Sequence, residues 1–544
     1  MSERWDRWLA RPWFLGLVIL ALVALIYAPL ASAPQKVDID AQLILPNLQA
    51  TSGVSGYWHN LLTLKTYDIQ PVRDATLVVD LLLLEHLGLN SFVWQNALWW
   101  TLGCWWVGQL LALLHPTLGP RRQALLTCLF AAYPLFAATV SWGMARKHIL
   151  AFVFIMMATV AFIRWLRGAG RAWVFTLCYL FSVLSQPITV LWPAWAIVSL
   201  WVNRKSVRDG LVLLPGFGIL LFTYVVNKQY YDHSEVFRLH YESKTAAALN
   251  LPDKLLGFGH YVYQTFLPYW PSVHYELGHP SVWGGIGLAL GFYVFLRWRK
   301  VSLESVLVWG GFFLFPLAVV LINSHILSDN YLLVPAVGIF VLLAGVVGRG
   351  ERTPRWILPV LLLFFSAYAM KESLLWRDPH RFADERGFQR RPNCSSAINL
   401  ARKTYALGKK LSPENKQYLE THECFRVGNL PPAIMWAFLY LQSSILFYED
   451  DLPLDDRIRS LEKLAPVNYY PNLMLAALLL RKGDEEAARR RIQDTIDLSS
   501  RILWPAYYEP AIALHLHPWC LREGWRECLE ITAHFLRDPP TPYL

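Results

Sequence analysis

Trp142-Gly143-Met144-Ala145-Arg146-Lys147-His148 is a very short turn between two apolar runs, 124–142 and 148–164. Runs of about this length are what a helix needs to cross a bilayer core of roughly 30 Å. The turn carries Arg146 and Lys147, although basic residues in short loops normally stay on the cytoplasmic side. The other basic loops, counted away from this turn in both directions, require it to face outward. A tight cationic turn in that position needs a physical reason, and holding an anion such as a lipid phosphate supplies one.

Working outward from the turn, apolar runs recur at 12–32, 92–114, 124–142, 148–164, 172–186, 188–202, 211–227, 282–297, 303–323, 331–348 and 356–371. The chain of 544 residues is 55% hydrophobic and only 17% charged, with a mean hydropathy of +0.31. The fold class expected is therefore an α-helical polytopic membrane protein with about eleven transmembrane helices. Basic clusters fall in alternate loops: Arg4/Arg7/Arg11, Arg121/Arg122, Arg164/Arg167/Arg171, Arg204/Lys205/Arg208, Arg297/Arg299/Lys300 and Arg349/Arg352/Arg355. One orientation satisfies all six, with the amino terminus cytoplasmic and the carboxyl terminus periplasmic in a bacterial inner membrane. Ala31-Ser32-Ala33 resembles a signal-peptide cleavage site, but the run before it is too long for a typical signal core and the topology needs it as a span. The net charge of +10 does not point to nucleic acid, because the cations sit in short clusters between apolar runs.

The same orientation sorts the cysteines. Cys104, Cys128 and Cys178 lie within spans and read as packed thiols. Cys394, Cys424, Cys520 and Cys528 fall in the outward region, where disulfides are expected, Cys520–Cys528 with Cys394–Cys424 being the first choice of pairing. The domains expected are a membrane module over 1–371, with a long first periplasmic loop at 33–91, and a soluble helical tail over 372–544. Residues 76–89, apolar but carrying Asp80, Glu85 and His86, read as a helix lying in the interface. The aromatic stretch 253–270 reads as interfacial or re-entrant, since a further span would invert every later basic loop. In the tail, 472–481, then Lys482-Gly483-Asp484, then 485–498 form a helix, a Gly turn and a second helix. That is the pattern of a tetratricopeptide-like hairpin, a repeat class that binds peptides or partner proteins on a concave face.

An outward anion site needs an opposing group to do chemistry, and the first loop offers Asp38 and Asp40 in Val37-Asp38-Ile39-Asp40. Carboxylates beside the end of a membrane helix are costly unless paired or functional. A lipid-linked sugar phosphate suits the combination. Its phosphate is already a good leaving group, so the site must hold it with cations and supply one carboxylate to orient or deprotonate an acceptor hydroxyl. Arg146 is the first phosphate candidate because its fork matches phosphate oxygens bidentately.

At these residues the chain resembles the GT-C glycosyltransferases, specifically the TMTC-type protein O-mannosyltransferases and their bacterial relatives. The resemblance rests on five stretches in order: Asp40 with Ile44 and Asn47; Ile69-Gln70-Pro71-Val72 with Asp80; Tyr133-Pro134 with Val140-Ser141-Trp142 and Ala145–Leu150; Ser185-Gln186-Pro187; and Asp329-Asn330-Tyr331-Leu332-Leu333-Val334-Pro335. It implies a GT-C-like fold with a tetratricopeptide tail and a polyprenyl-phosphate-linked sugar as donor. It also implies a periplasmic acceptor, in the first place a protein hydroxyl. Asp40 would be the base with Asp38 beside it, and Arg146, Arg73, Lys147 and His148 would hold the phosphate. Gln70, Asp80, Gln186, Asp329 and Tyr331 would surround the substrate, with His274 and Tyr275 as further acceptor contacts. The chain departs from the family at Ile39, where the first acid is expected, at Gln70, Gln186 and Asn330 in place of cations, at Ala138 in place of Glu, and at His148 in place of Asp.

Plainer readings stand beside these. Asp40 and Asp329 are also good helix caps, Lys147 fits an interface-snorkelling side chain, and Tyr275 fits an aromatic belt. The departures favour a rival, a non-catalytic relative that serves as a membrane scaffold and docks partners through its tail. A transporter would show inverted repeats with broken helices at the midplane, and the sequence has no such pairing. No His/Cys/Asp cluster has metal-ligand spacing; besides the lipid-linked donor, a divalent metal ion is the one cofactor left open.

Overall fold

The computed structural model describes residues 7–30, 69–205, 207–233, 251–267, 275–276, 281–297, 302–315, 317, 326–327, 329–348, 356–377, 384, 397, 400–401, 404, 411–422, 453–464, 469–499, 510–529 and 532. Almost all of these are helical. The exception is a two-residue antiparallel pair, β1 (Tyr275–Glu276) with β2 (Ile326–Leu327), in which Tyr275 faces Leu327. The chain divides into two compact units, one of residues 1–35 and 47–377 and the other of residues 36–46 and 378–544.

The first unit contains, in order, α1 (Pro12–Tyr27), α2 (Pro71–Leu87), α3 (Phe92–Leu114), α4 (Pro120–Ala131), α5 (Ala137–Ser141), α6 (Arg146–Leu166), α7 (Ala172–Ser185), α8 (Trp192–Val202), α9 (Leu214–His233), α10 (Leu251–Phe266), α11 (Ser281–Arg297), α12 (Leu303–Phe312), α13 (Leu333–Gly348) and α14 (Ile357–Leu374). Among the described residues, seven helical stretches are long and apolar enough to cross a membrane: Pro12–Leu30, Phe92–Leu114, Pro120–Ser141, Gly143–Leu166, Leu211–Tyr230, Asn330–Gly348 and Ile357–Arg377. Three shorter apolar helices, Ala172–Ser185, Pro187–Val202 and Leu303–Phe312, accompany them. The described residues are thus almost all helical, and these apolar helices are compatible with a membrane protein.

Prolines interrupt this bundle at places the hydropathy runs pass over. Tyr133, ahead of Pro134, is extended at φ −63° and ψ 122°, as the steric clash with a following proline ring dictates. A 3-10 turn, Pro134–Phe136, then leads into α5. Gln186, ahead of Pro187, is likewise extended at φ −161° and ψ 121° and ends α7. Non-helical backbone at membrane depth is tolerated only where protein surrounds it, and every residue from 131 to 146 is buried. The core is built around that break. Trp100 is fully buried against Phe130, Phe136 and Phe152, with ring centroids 5.5, 5.1 and 5.4 Å away. Its indole N–H donates to the Ala131 carbonyl at 3.1 Å, one of the acceptors at the end of α4.

Basic residues tie one end of the bundle together. Arg122 donates to the Val347 carbonyl at 2.8 Å, and Arg167 donates to Glu304 at 2.8 Å and to the Leu113 carbonyl at 2.7 Å. Of the five exposed tryptophans among the described residues, four, Trp13, Trp173, Trp201 and Trp356, lie within about three residues of Arg11, Arg171, Arg204 and Arg355 respectively, and the fifth, Trp94, lies in the first turn of α3.

The stretch read as interfacial or re-entrant at 253–270 forms α10, which is not among the helices long and apolar enough to cross a membrane. Residues 257 and 259–265 of α10 are buried, and α10 packs along α11. Glycines make this approach: a Cβ on Gly287 or Gly284 would fall on the carbonyl of Gly259 or Leu256. Small residues that let helix backbones meet are a standard membrane packing device.

The second unit contains α15 (Pro413–Thr421), α16 (Leu454–Leu464), α17 (Tyr469–Lys482), α18 (Glu485–Ser499) and α19 (Pro510–Arg522). Residues 473–479 of α17 are all buried, so this helix is wrapped by α16, α18 and α19. Gly483 closes it at φ +89°, the left-handed conformation favoured by glycine. Asp484 then accepts the Ala487 N–H at 3.0 Å to start α18. Cys520 and Cys528 are bonded, while Cys394 and Cys424 lie outside the described residues. Cys104, Cys128 and Cys178 are free and buried. The loop that the disulfide closes is short, so reduction should release about 2–3 kcal/mol of constraint. Hydrogen exchange across 510–529 in the full chain is expected to accelerate by roughly thirtyfold or more on reduction or in Cys520→Ser. Unchanged exchange would show that the bond holds nothing the packing of Trp519 does not already hold.

Candidate functional site

The site begins with α2. Pro71 occupies its first turn, where a missing N–H costs nothing, and Gly88 ends it at φ +64°. The helix read as interfacial at 76–89 therefore runs over Pro71–Leu87, and it packs against α6 and α7. Its exposed residues include the apolar Val79, Leu82, Leu84 and Leu87 beside His86.

Asp80, on the opposite side, is fully buried and forms an ion pair with Arg146. The Ser91 hydroxyl donates to the same carboxylate. Arg146 is fully buried as well. Its Nε donates to Asn96 at 2.9 Å and its Nη2 to the Phe92 carbonyl at 2.7 Å, while Nη1 also reaches the Thr76 carbonyl and Gln95, each at 3.3 Å. Asn96 passes the connection on by donating to the carbonyls of Trp142 at 2.9 Å and Val140 at 3.2 Å. Burial raises the Asp80 carboxyl above the usual carboxylate range, against the opposing pull of Arg146 and Ser91.

These contacts correct two sequence expectations. Arg146 does not project from an outward turn toward a phosphate, and Asp80 does not face a substrate. The two neutralise each other inside the protein, because α2 folds back over the 143–147 turn. A buried guanidinium needs such a partner, since an unpaired one would carry a desolvation cost of several kcal/mol.

Arg73 is corrected in the same way. It is 1% exposed and contacts the Asp74 carboxylate with Nε at 2.7 Å and Nη2 at 2.6 Å. Its Nη1 donates to Gln70 Oε1 at 2.8 Å, and Gln70 Nε2 donates to Gln186 Oε1 at 2.7 Å. A chain of polar contacts thus joins α2 to the Pro187 break.

Beside that break is a small cavity of about 10 Å³, lined by His148, Thr189, Asn330 and Tyr331 among others. This is the scale of a single water. The His148 and Tyr331 rings meet edge to face at 5.3 Å, and Thr139 donates to Asn330 Oδ1 at 2.6 Å. Residues from four of the five stretches singled out in the sequence therefore gather at one end of the first unit: Gln70, Arg73 and Asp80, then Arg146 and His148, then Gln186, then Asn330 and Tyr331.

Lys147 is half-buried. Tyr275 lies in β1, and Asp329 opens the 3-10 turn Asp329–Leu332. Asp38, Asp40 and His274 lie outside the described residues. Sequence reasoning missed Asn96, Ser91, Thr139 and Thr189. Asn96 did leave a signal, being a polar residue inside the apolar run 92–114, where such residues are expensive and usually purposeful. Among the described residues, no group of three or more His, Cys, Asp or Glu side chains is placed to hold a metal.

Comparison of the chain with family models, with curated proteins and with solved structures returns no match.

Proposed function

We propose that the chain is a GT-C-like glycosyltransferase that moves a sugar or glycan from a polyprenyl-phosphate carrier to a periplasmic acceptor, in the first place a protein hydroxyl. The observation that carries this reading is that residues distant in sequence meet at one end of the bundle: Gln70 bonds Gln186, and Ile188 and Thr189, next along the chain, line a cavity with His148, Asn330 and Tyr331. Polar and charged groups inside an apolar bundle are costly and mark function by default. In this reading Asp40 is the base, with Asp38 beside it. His148, Lys147 and Gln186 face the donor phosphate, and the Arg146–Asp80 pair holds the frame behind them. The chain crosses the bacterial inner membrane about eleven times. Its tetratricopeptide-like tail stands in the oxidising periplasm, which the Cys520–Cys528 bond supports, and presents the acceptor or a partner protein.

The test has two arms. Native mass spectrometry of the protein extracted from its own membranes is expected to show a bound polyprenyl-phosphate sugar. In cells, Asp40→Asn is expected to abolish glycosylation of periplasmic proteins while the variant remains inserted. Unchanged glycosylation together with no bound lipid would sink the reading.

A second reading, a non-catalytic scaffold of the same fold, is favoured by one observation. Both buried guanidinium groups are already engaged by carboxylates, Arg146 by Asp80 and Arg73 by Asp74. It expects a stable co-purifying partner and indifference to Asp40→Asn.

A further inference from the structure

We infer that Gln186 presents its amide nitrogen to the ligand of the site, and that Arg73 fixes this orientation from inside the protein through Gln70. The inference rests on the lipid-phosphate reading and names a contact within it.

The oxygen and nitrogen of an amide side chain have nearly the same shape, so partners decide which way the group points. Here the decision propagates from one end. A guanidinium can donate but never accept. Arg73 Nη1 lies 2.8 Å from the Gln70 amide, so the atom facing it must be Oε1. Gln70 is then left to donate with Nε2, which reaches Gln186 at 2.7 Å. Gln186 must accept with Oε1, and its Nε2 is the end that remains. Asp74 closes the far side of the relay and keeps Arg73 charged and in place.

Burial makes the relay rigid at its base and open at its tip. Arg73 is 1% and Gln70 7% exposed, whereas Gln186 is half-buried. Among the described residues, no acceptor takes up Gln186 Nε2. The tip stands where Pro187 ends α7, and the next residues, Ile188 and Thr189, line the cavity with His148, Asn330 and Tyr331.

A double N–H donor, polarised along a hydrogen-bond chain by a cation behind it, suits an anionic oxygen and rejects a donor or a cation. The matching group is a phosphate oxygen, whether on a lipid carrier or on free phosphate. Gln186 thus contributes the directionality of a cation without its charge. Gln70 and Arg73 are positioning residues that act through it.

The test uses the full chain in nanodiscs, titrated with undecaprenyl phosphate and read by native mass spectrometry. Gln70→Glu keeps an acceptor for Arg73 but offers Gln186 only oxygen, which turns the Gln186 amide over and points Oε1 at the ligand. Affinity is expected to fall about tenfold or more, the scale of a lost hydrogen bond to a charged group. Adding Gln186→Lys returns a donor to the tip and is expected to restore binding. Gln186→Glu, made at the half-buried end, should lose affinity in the same way and covers the case in which Gln70→Glu does not fold. A merely structural relay would shift the melting temperature and leave affinity alone. Unchanged affinity in folded Gln70→Glu or Gln186→Glu overturns the inference and leaves the lipid-phosphate reading standing. Wild-type protein that binds neither undecaprenyl phosphate nor inorganic phosphate overturns both. Competition by inorganic phosphate would identify the bare headgroup as the ligand; lipid binding that resists it would assign the lipid-borne phosphate.

Discussion

Arg146→Met is expected to cost the first unit about 3–5 kcal/mol, because it leaves the Asp80 carboxylate buried with no counter-charge. The loss should appear as a lower melting temperature in detergent, followed by fluorescence-detected size exclusion. Asp80→Asn should cost less, since a neutral amide can still accept from Ser91 and Arg146. The double variant Arg146→Met with Asp80→Leu removes both charges, and much of the loss should return, as replacing a whole buried pair by apolar groups often does. A double variant as unstable as Arg146→Met alone would mean that the lost packing of the long side chain, with its bonds to Phe92 and Asn96, outweighs the charge. Arg146→Met with wild-type stability would remove the ion pair from the account altogether.

Gly287→Val is expected to be at least as damaging. The first atom of any side chain there would land on the Gly259 carbonyl oxygen, which is backbone and has no rotamer to give way. Ordinary overpacking costs about 1–3 kcal/mol when side chains can adjust; here α10 and α11 must move apart as bodies. Gly291→Ala is the matched control on the same helix, since its Cβ would meet Val262 Cγ1 at an ordinary 3.7 Å. Loss of the folded protein in Gly287→Val with retention in Gly291→Ala is the expected pair of results. Equal behaviour of the two would mean that the helices do not meet through Gly259.

The bundle was legible in the sequence because a bilayer leaves few options: apolar runs of spanning length must be helices. Pro134 and Pro187 were equally visible, but a hydropathy run averages over the breaks they impose. The 143–147 turn was misread for a different reason. The charge rule weighs a loop by its own residues and has no access to a partner 66 positions away, which is where Asp80 lies. In the stretch 253–270, Gly257 and Gly259, set against Gly284 and Gly287, are a local signal for close helix packing that charge counting does not use. At the site, the gathering of residues from separate stretches followed their order along the chain. What sequence did not disclose was which donors and acceptors were already taken, and that depends on how α2, α3 and the 143–147 turn meet in space.

The exposed indoles of Trp13, Trp173, Trp201 and Trp356 all neighbour basic residues. In the proposed topology they therefore share one leaflet, at the depth where amphipathic rings settle. Among the described residues, Trp100, Trp142, Trp192, Trp195, Trp376 and Trp519 are buried and out of reach of lipid-borne quenchers. The protein thus carries a depth gauge weighted four to one toward that leaflet, Trp94 being the exposed indole at the other end. Brominated lipid confined to the inner leaflet should dim a distinct, red-shifted fraction of its fluorescence, whereas the same lipid in the outer leaflet should leave that fraction bright.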